Sequence, residues 1–298
     1  MAEKIGVLRC VLTEPCSRRL IDSLQADFVI SCGSSSAPVN HIIGSLYQAR
    51  TIVVLKPGLL NVGCFDTVVM PEHDRPKQFY RYRYLYFTQV APNMINREYL
   101  THNVMKLENQ FSHLKNSVRM KIGVLIGGNT KGVVFTEHQA KIVAHQLVQA
   151  ADELNAELLV TTSRRTPKNV VRVFQKKCKE SERCALFIQA DKQDVPAAVG
   201  GILGLCDVVV VSGESISMVS EAVSSGKKVV VFPVGDTERF NTMNKYRRFV
   251  ELLHENGYVI STSSTHITKA VLDFSKSKMK PRKLTDDYTL LRAMRILI

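Results

Sequence analysis

The sequence predicts an α/β protein with parallel sheets, and three observations carry that prediction. Short apolar runs rich in Val and Ile recur along the chain, too short for helices and unbroken in the manner of strands buried on both faces. Most of them end in turns of Gly, Ser, Thr or Pro. Those turns lead into helix-patterned segments, an alternation that argues for a parallel sheet rather than a sandwich.

The first series is small. Residues 5–10 are a short apolar run and 17–25 a weak helix, and 28–32 read as a buried strand ending at Gly33-Ser34-Ser35-Ser36. A helix is expected over 39–47 and strands over 51–55, 66–70 and 85–90. Just past 66–70, Pro71-Glu72-His73-Asp74-Arg75 packs two carboxylates, an imidazole and a guanidinium into one short loop. That composition suits a general base, His73, oriented by Glu72 or Asp74, or a ligand clamp, and it also suits a solvated charged loop. Its place at the sheet's ligand edge favours the base. No second His stands at metal-ligand spacing, which argues against a metal site. Residues 91–119 are polar, helical in pattern and basic at their end, as a helix and linker between domains would be.

The second series begins at 120. A strand over 122–126 runs into Gly127-Gly128-Asn129-Thr130-Lys131-Gly132. The paired glycines permit close backbone approach by a ligand, and Asn129, Thr130 and Lys131 can donate to an anion. A helix capped by Thr136 is expected over 137–154. The strand 158–161 ends in Thr162-Ser163-Arg164-Arg165-Thr166-Pro167, two adjacent arginines ahead of a helix N-terminus and a good place for phosphate. A strand over 184–188, helices over 191–206 and 238–255, an edge strand over 258–261, a helix over 267–275 and an amphipathic end over 286–297 complete the pattern.

Within this series DVVVVSGESISMVSEAVSSGKKVVVFP, which starts at Asp207, is a whole strand–helix–strand unit. Strands 208–211 and 229–232 flank a helix with Ser215 at its N-cap and Gly226 beyond its end. The helix N-terminus and the hydroxyls of Ser215 and Ser217 suit a phosphate, and Glu221, under two turns on, is spaced to reach a ribose diol. Alternatively the serines only cap the helix and Glu221 is solvated; spacing alone leaves both readings open. The loops 127–132, 162–166 and 212–217 all fall at carboxyl ends of strands in one sheet. Their glycines, arginines and helix N-terminus together describe a pocket for a nucleotide or its diphosphate. Neither GxGxxG nor a P-loop sequence is present.

The 298 residues, 45% of them apolar, suffice for two domains or one large one. The net charge of +13 divides as +5 over residues 1–119 and +8 over the rest, densest at Lys276, Lys278, Lys280, Arg282 and Lys283. It suits anionic substrates, an acidic membrane surface or nonspecific solubility. Nucleic acid is disfavoured as a partner, since the chain has no Trp, no zinc pattern and few aromatics in its basic stretches. The seven cysteines include no C-x-x-C pair and read as reduced thiols acting as small hydrophobes. With no signal-peptide pattern and no apolar run approaching ~18 residues, a soluble cytoplasmic protein is expected.

The segments LIGGNTKGVVF, LLVTTSRRTP and DVVVVSGESISMVSEAVSSGKKVVVFPV, with FVISCGSSSAPV and FDTVVMPEHDRP ahead of them, resemble the mitochondrial-fission Elm family of bacteria and plants. The resemblance runs from about residue 27 to about residue 234. That family is similar in turn to GT-B glycosyltransferases. The likeness implies two Rossmann-like domains facing across a cleft, over 1–116 and 117–283, with 284–298 a helix crossing back onto the first. It implies that Gly127, Gly128, Asn129, Arg164, Arg165, Ser215, Ser217 and Glu221, with Thr130 and Ser163 in the same loops, line a donor pocket, Glu221 on the ribose. Where many relatives carry Gly-Arg-Arg this chain has Gly33-Ser34-Ser35, and Lys56-Pro57-Gly58 replaces their Asp-Pro-Arg.

The expectation is a metal-independent glycosyltransferase whose only cofactor-like ligand is the nucleoside-diphosphate sugar itself. Its acceptor would be a hydroxyl, and the basic surface suits one on a lipid at the inner face of an acidic membrane. The rival is a non-catalytic adaptor that recruits a protein partner, since plant members of the family promote recruitment of a dynamin-related division protein. An epimerase or dehydrogenase-like enzyme ranks third, lacking both the dinucleotide fingerprint and a well-placed Tyr-x-x-x-Lys pair.

Overall fold

The computed structural model describes residues 26–82, 84–130, 132–235, 245–278, 281–282 and 284–295. The run 5–10 and the helix 17–25 expected from the sequence lie outside the described residues. Two compact units result: the chain up to Pro92 together with the segment from Thr285, and Asn93–Leu284.

In the first unit β1 (Phe28–Cys32), β2 (Arg50–Val54), β3 (Thr67–Pro71) and β4 (Leu85–Thr88) form a parallel sheet in that spatial order. β3 is buried throughout, as its unbroken apolar run demands. β1 departs from expectation: it is the edge of the described sheet, so Phe28 and Ile30 remain exposed instead of buried. α1 (Ala37–Tyr47) begins earlier than its apolar pattern because Pro38 fits a first helical turn. Its buried Asn40 donates to Val29 O at 3.0 Å and Ile52 O at 2.8 Å, tying β1 to β2.

The second unit holds β5 (Lys121–Ile126), β6 (Glu157–Thr162), β7 (Cys184–Ile188), β8 (Val208–Ser212), β9 (Lys228–Phe232) and β10 (Ile260–Ser261). Its helices are α2 (Arg97–Gln110), α3 (Glu137–Leu154), α4 (Lys168–Glu180), α5 (Ala198–Leu205), α6 (Ile216–Ser224), α7 (Lys245–Glu255) and α8 (Ile267–Lys276). The sheet is parallel throughout with the order β10-β9-β8-β5-β6-β7. The chain thus builds outward from β5 through β7, then returns to the other side of β5 and builds outward again. Such a reversal leaves a crevice at the carboxyl ends of the two central strands, here β5 and β8.

Helices on both faces explain why these strands are apolar without alternation. On one face Ile122, Val124 and Ile126 pack with Ala144 and Leu147 of α3, Phe174 of α4 and Val271 of α8. Phe135 meets Phe174 and Phe232 edge to face, with centroids 6.4 and 6.2 Å apart. On the other face α5 lies so close to β5 that a Cβ at Gly123 would crowd Ile202 and Cys206. α2 in turn packs on α5, where side chains at Gly200, Gly201 and Gly204 would run into Tyr99, Leu107 and Val104. The polar segment after residue 91 therefore belongs with the second unit.

Cys206 is fully buried and burial pushes its thiol up to about 12, in keeping with a small hydrophobe. α3 starts on its expected cap: Thr136 Oγ1 accepts from Gln139 N–H at 3.2 Å. The helix expected over 191–206 is shorter, starting only at Ala198. Pro196 explains this, because it has no N–H and disfavours helical geometry in the residue before it. Of the helix 238–255, the described part is α7. The chain then rejoins the first unit as α9 (Asp286–Met294), which packs on β4. Its Asp286 carboxylate accepts the amides of Gln89 at 2.9 Å and Val90 at 3.1 Å. Among the described residues no helix is long and apolar enough to cross a membrane.

Candidate functional site

At the carboxyl end of β5 the chain turns through Gly127 and Gly128, and this turn is tied to the strand on either side. The Gly127 amide donates to Ser212 Oγ at 2.7 Å, at the end of β8. The Thr166 hydroxyl, from the loop after β6, donates to Gly127 O at 2.5 Å, and Ser163 N–H donates to Ile126 O at 2.8 Å. Because β8, β5 and β6 are adjacent, the three candidate loops meet. At Gly128 a Cβ would overlap the Arg165 carbonyl, so glycine is what allows the two loops to touch. Ser163 shapes the arginine turn by accepting the Arg165 amide at 3.1 Å. Arg164 and Arg165 are exposed at this end of the sheet.

Asn129 and Thr130 have structural work here. Asn129 Oδ1 accepts from Phe135 N–H at 2.9 Å, and Thr130 and Val133 exchange backbone hydrogen bonds at 3.0 and 3.1 Å. Thr130 Oγ1 is buried without a partner among the described residues, and Lys131 lies outside them.

On the β8 side, Ser215 occupies the N-cap of α6 and is buried, yet its hydroxyl makes no capping bond. Capping therefore does not account for it. Ser217 is exposed on the first turn. Glu221 is half-buried rather than solvated, and burial raises its carboxyl above the usual range.

The residue that sequence reasoning passed over is Glu214. It is only 2% exposed, with Oε1 accepting from Ser212 Oγ at 3.1 Å and Oε2 buried without a hydrogen-bond partner among the described residues. Burial pushes its carboxyl up to about 7, against the pull of its own amide, Ser212, the Gly128 amide and Arg165. A Cβ at Gly127 would overlap Oε1. The available signal was an acid in the short turn between a buried strand and a helix start, a position that reads as an ordinary turn.

In the first unit, Glu72–Asp74 is one turn of 3₁₀ helix after β3. The His73 side chain is buried, with Nε2 3.7 Å from Asp74 Oδ2. Glu72 instead accepts from Arg75 Nη2 at 2.5 Å, and the Arg75 guanidinium lies 4.5 Å and 4.2 Å from the ring centroids of Phe79 and Phe87. Of the two acids, Asp74 is the one against the imidazole. The turn after β1 is tied down by β2 and by itself: Gly33 N–H donates to Val54 O at 2.8 Å and Ser36 Oγ to Cys32 O at 2.7 Å. Among the described residues no three His, Cys, Asp or Glu side chains group as a metal-ligand set.

A family profile described as "Mitochondrial fission ELM1" matches residues 8–286. The uncharacterized protein RP120 of Rickettsia prowazekii (strain Madrid E) is 24% identical over 270 residues, spanning 79% of this chain and 72% of that protein. Among solved structures, the UDP-GlcNAc 2-epimerase from Methanocaldococcus jannaschii matches with a TM-score of 0.62 at 13% identity, over 99% of this chain and 80% of that one. Os79 from O. sativa, solved in complex with UDP, gives 0.56 at 9% identity, over 99% of this chain and 77% of that one. Phytolacca americana UGT2, solved with UDP-2fluoro-glucose and pterostilbene, gives 0.52 at 9% identity, over 99% and 74%. At such identities the likeness speaks to the fold, which is that of GT-B glycosyltransferases and related epimerases.

Proposed function

The chain belongs to the mitochondrial fission ELM1 family, and we propose that it is a GT-B-type glycosyltransferase using a nucleoside-diphosphate sugar. The observation that carries this reading is the meeting of the glycine, arginine and serine loops at the strand-order reversal between β5 and β8. Anionic ligands favour such a place, because the N-terminus of α6 opens there. In this reading the start of α6, with Ser215 and Ser217, holds the diphosphate. Arg164 and Arg165 offset the charge that builds on it as it leaves. Glu221 takes the ribose diol.

His73, held by Asp74, removes the proton of the acceptor hydroxyl as its oxygen bonds to the anomeric carbon. The bond from that carbon to the diphosphate breaks, and the diphosphate departs with the electron pair. No step in this scheme asks for a metal. The spread positive charge suits an acceptor on an acidic membrane surface facing the cytoplasm.

A thermal-shift screen against nucleoside diphosphates and their sugar conjugates tests the proposal, since ligands of the native state raise its apparent stability. A shift confined to one base, followed by turnover of the matching sugar conjugate, is expected. UDP comes first because structures of the same fold were solved with it. Arg164→Ala should weaken that binding ten- to a hundredfold, the scale of about 1.5–3 kcal/mol for a charged hydrogen bond. If folded protein shifts with none of them, the adaptor reading takes over. In its favour, Ser34 and Ser35 bring no cation to the end of β1.

A further inference from the structure

The diphosphate reading leaves one buried acid of the loop cluster without a task. Glu214 lies between the end of β8 and the start of α6, with its carboxyl group against the Gly127 backbone. Oε1 receives the Ser212 hydroxyl, while Oε2 is buried with no hydrogen-bond partner among the described residues. The carboxyl group thus forms the floor of the glycine turn, at the strand-order reversal where an anion is expected. A carboxylate there would face a diphosphate across a poorly solvated gap, where like charges repel far more strongly than in water. A neutral carboxylic acid carries no charge to repel it.

Resting on the diphosphate reading above, we propose that Glu214 is a positioning residue that must be neutral when the site is filled: from beneath the glycine turn its ionised form repels the ligand, and its acid form does not. The proton is within reach at physiological pH, because burial holds the carboxyl up at about 7. From the neighbouring elements, the charged group facing it is Arg165, on the loop after β6. Ser212 on β8 and the Gly128 amide after β5 are uncharged donors. These three and Glu214's own amide favour the ionised form, and burial outweighs them. Filling the site therefore draws a proton onto Glu214.

Calorimetric titration with UDP decides the matter, using the whole chain and its Glu214→Gln variant from pH 6 to 8.5 in two buffers of different ionisation enthalpy. UDP's own phosphate protonation, near pH 6, contributes equally to both proteins, so their difference is the readout. The unaltered protein should take up close to one extra proton at pH 8, and its affinity should fall by up to about tenfold per pH unit above 7. Glu214→Gln, which is neutral at every pH, should show neither effect and bind more tightly than the unaltered protein at pH 8. Equal proton uptake and parallel pH profiles, with both proteins binding UDP, would overturn this inference and leave the diphosphate reading standing. So would a variant that melts normally but no longer binds. If neither protein binds UDP at any pH while both melt as folded, the diphosphate reading falls and the inference with it. If the variant does not fold, absence of proton uptake by the unaltered protein at pH 8 overturns the inference alone.

Discussion

The hydroxyl of Ser212 accepts the amide hydrogen of Gly127 at 2.7 Å, across the point where the strand order of the second sheet reverses. It passes its own hydrogen to Glu214, so the glycine turn, the end of β8 and a buried acid form one connected floor. If the diphosphate reading holds, stability and ligand binding are coupled through that floor.

Glu214→Gln should stabilise the protein at alkaline pH. The folded carboxyl sits at about 7 against an ordinary value of 4.5, so ionisation is penalised in the folded state. A raised folded value means that the stability the group contributes is fully present below about pH 4.5 and is lost as pH rises to about 7. The variant should match the unaltered protein near pH 4.5 and exceed it by about 3 kcal/mol at pH 8. Urea unfolding at the two pH values measures this, and equal midpoints at pH 8 would refute it.

Gly128→Ala places a methyl group on the Arg165 carbonyl. Relieving that overlap must separate the glycine and arginine loops. A loss of about 1–3 kcal/mol in stability is expected, as for an overpacked core, with at least tenfold weaker UDP binding. A variant that binds UDP normally would show that the two loops need not touch.

The acids flanking His73 should behave differently from each other. Glu72 is engaged by Arg75, whereas Asp74 lies against the imidazole. Glu72→Gln should leave kcat within about twofold, while His73→Ala lowers it by about 10²–10⁴, the usual weight of a general base. Asp74→Asn should shift the pH–rate profile. Equal losses for Glu72→Gln and Asp74→Asn would count against this division of roles.

Asp286 anchors the start of α9 on the amides of Gln89 and Val90. Asp286→Ala removes their acceptor and should cost about 1–3 kcal/mol, with faster hydrogen exchange at those two amides. Asp286→Asn keeps an acceptor. Burial raises the Asp286 carboxyl above its ordinary range, so the Asn variant should gain on the unaltered protein as pH rises. Unchanged exchange at residues 89 and 90 in the Ala variant would show that α9 is held elsewhere.

Much of the fold is legible in local chemistry. The Val runs of β8 and β9, the strand β7 and the helix capped by Thr136 follow from apolar pattern and capping alone. The misses have separate causes. The exposure of β1 depends on what lies beside it in the sheet, and the late start of α5 is a local conflict in which Pro196 overrides the apolar pattern. Ser215 stands where a cap belongs and does not cap, which pattern cannot reveal.

The order of residues by itself determined which side chains stand at the carboxyl ends of strands, because strand period and turn preference act over a few neighbours. Only the tertiary structure decided that β8, β5 and β6 lie side by side, which joins Gly127 to Ser212 across 85 residues of sequence. It also decided that Glu214 is buried and Arg164 exposed. Whether a charged group keeps its water depends on everything packed around it, and that packing is set by the whole sheet rather than by the turn the residue occupies.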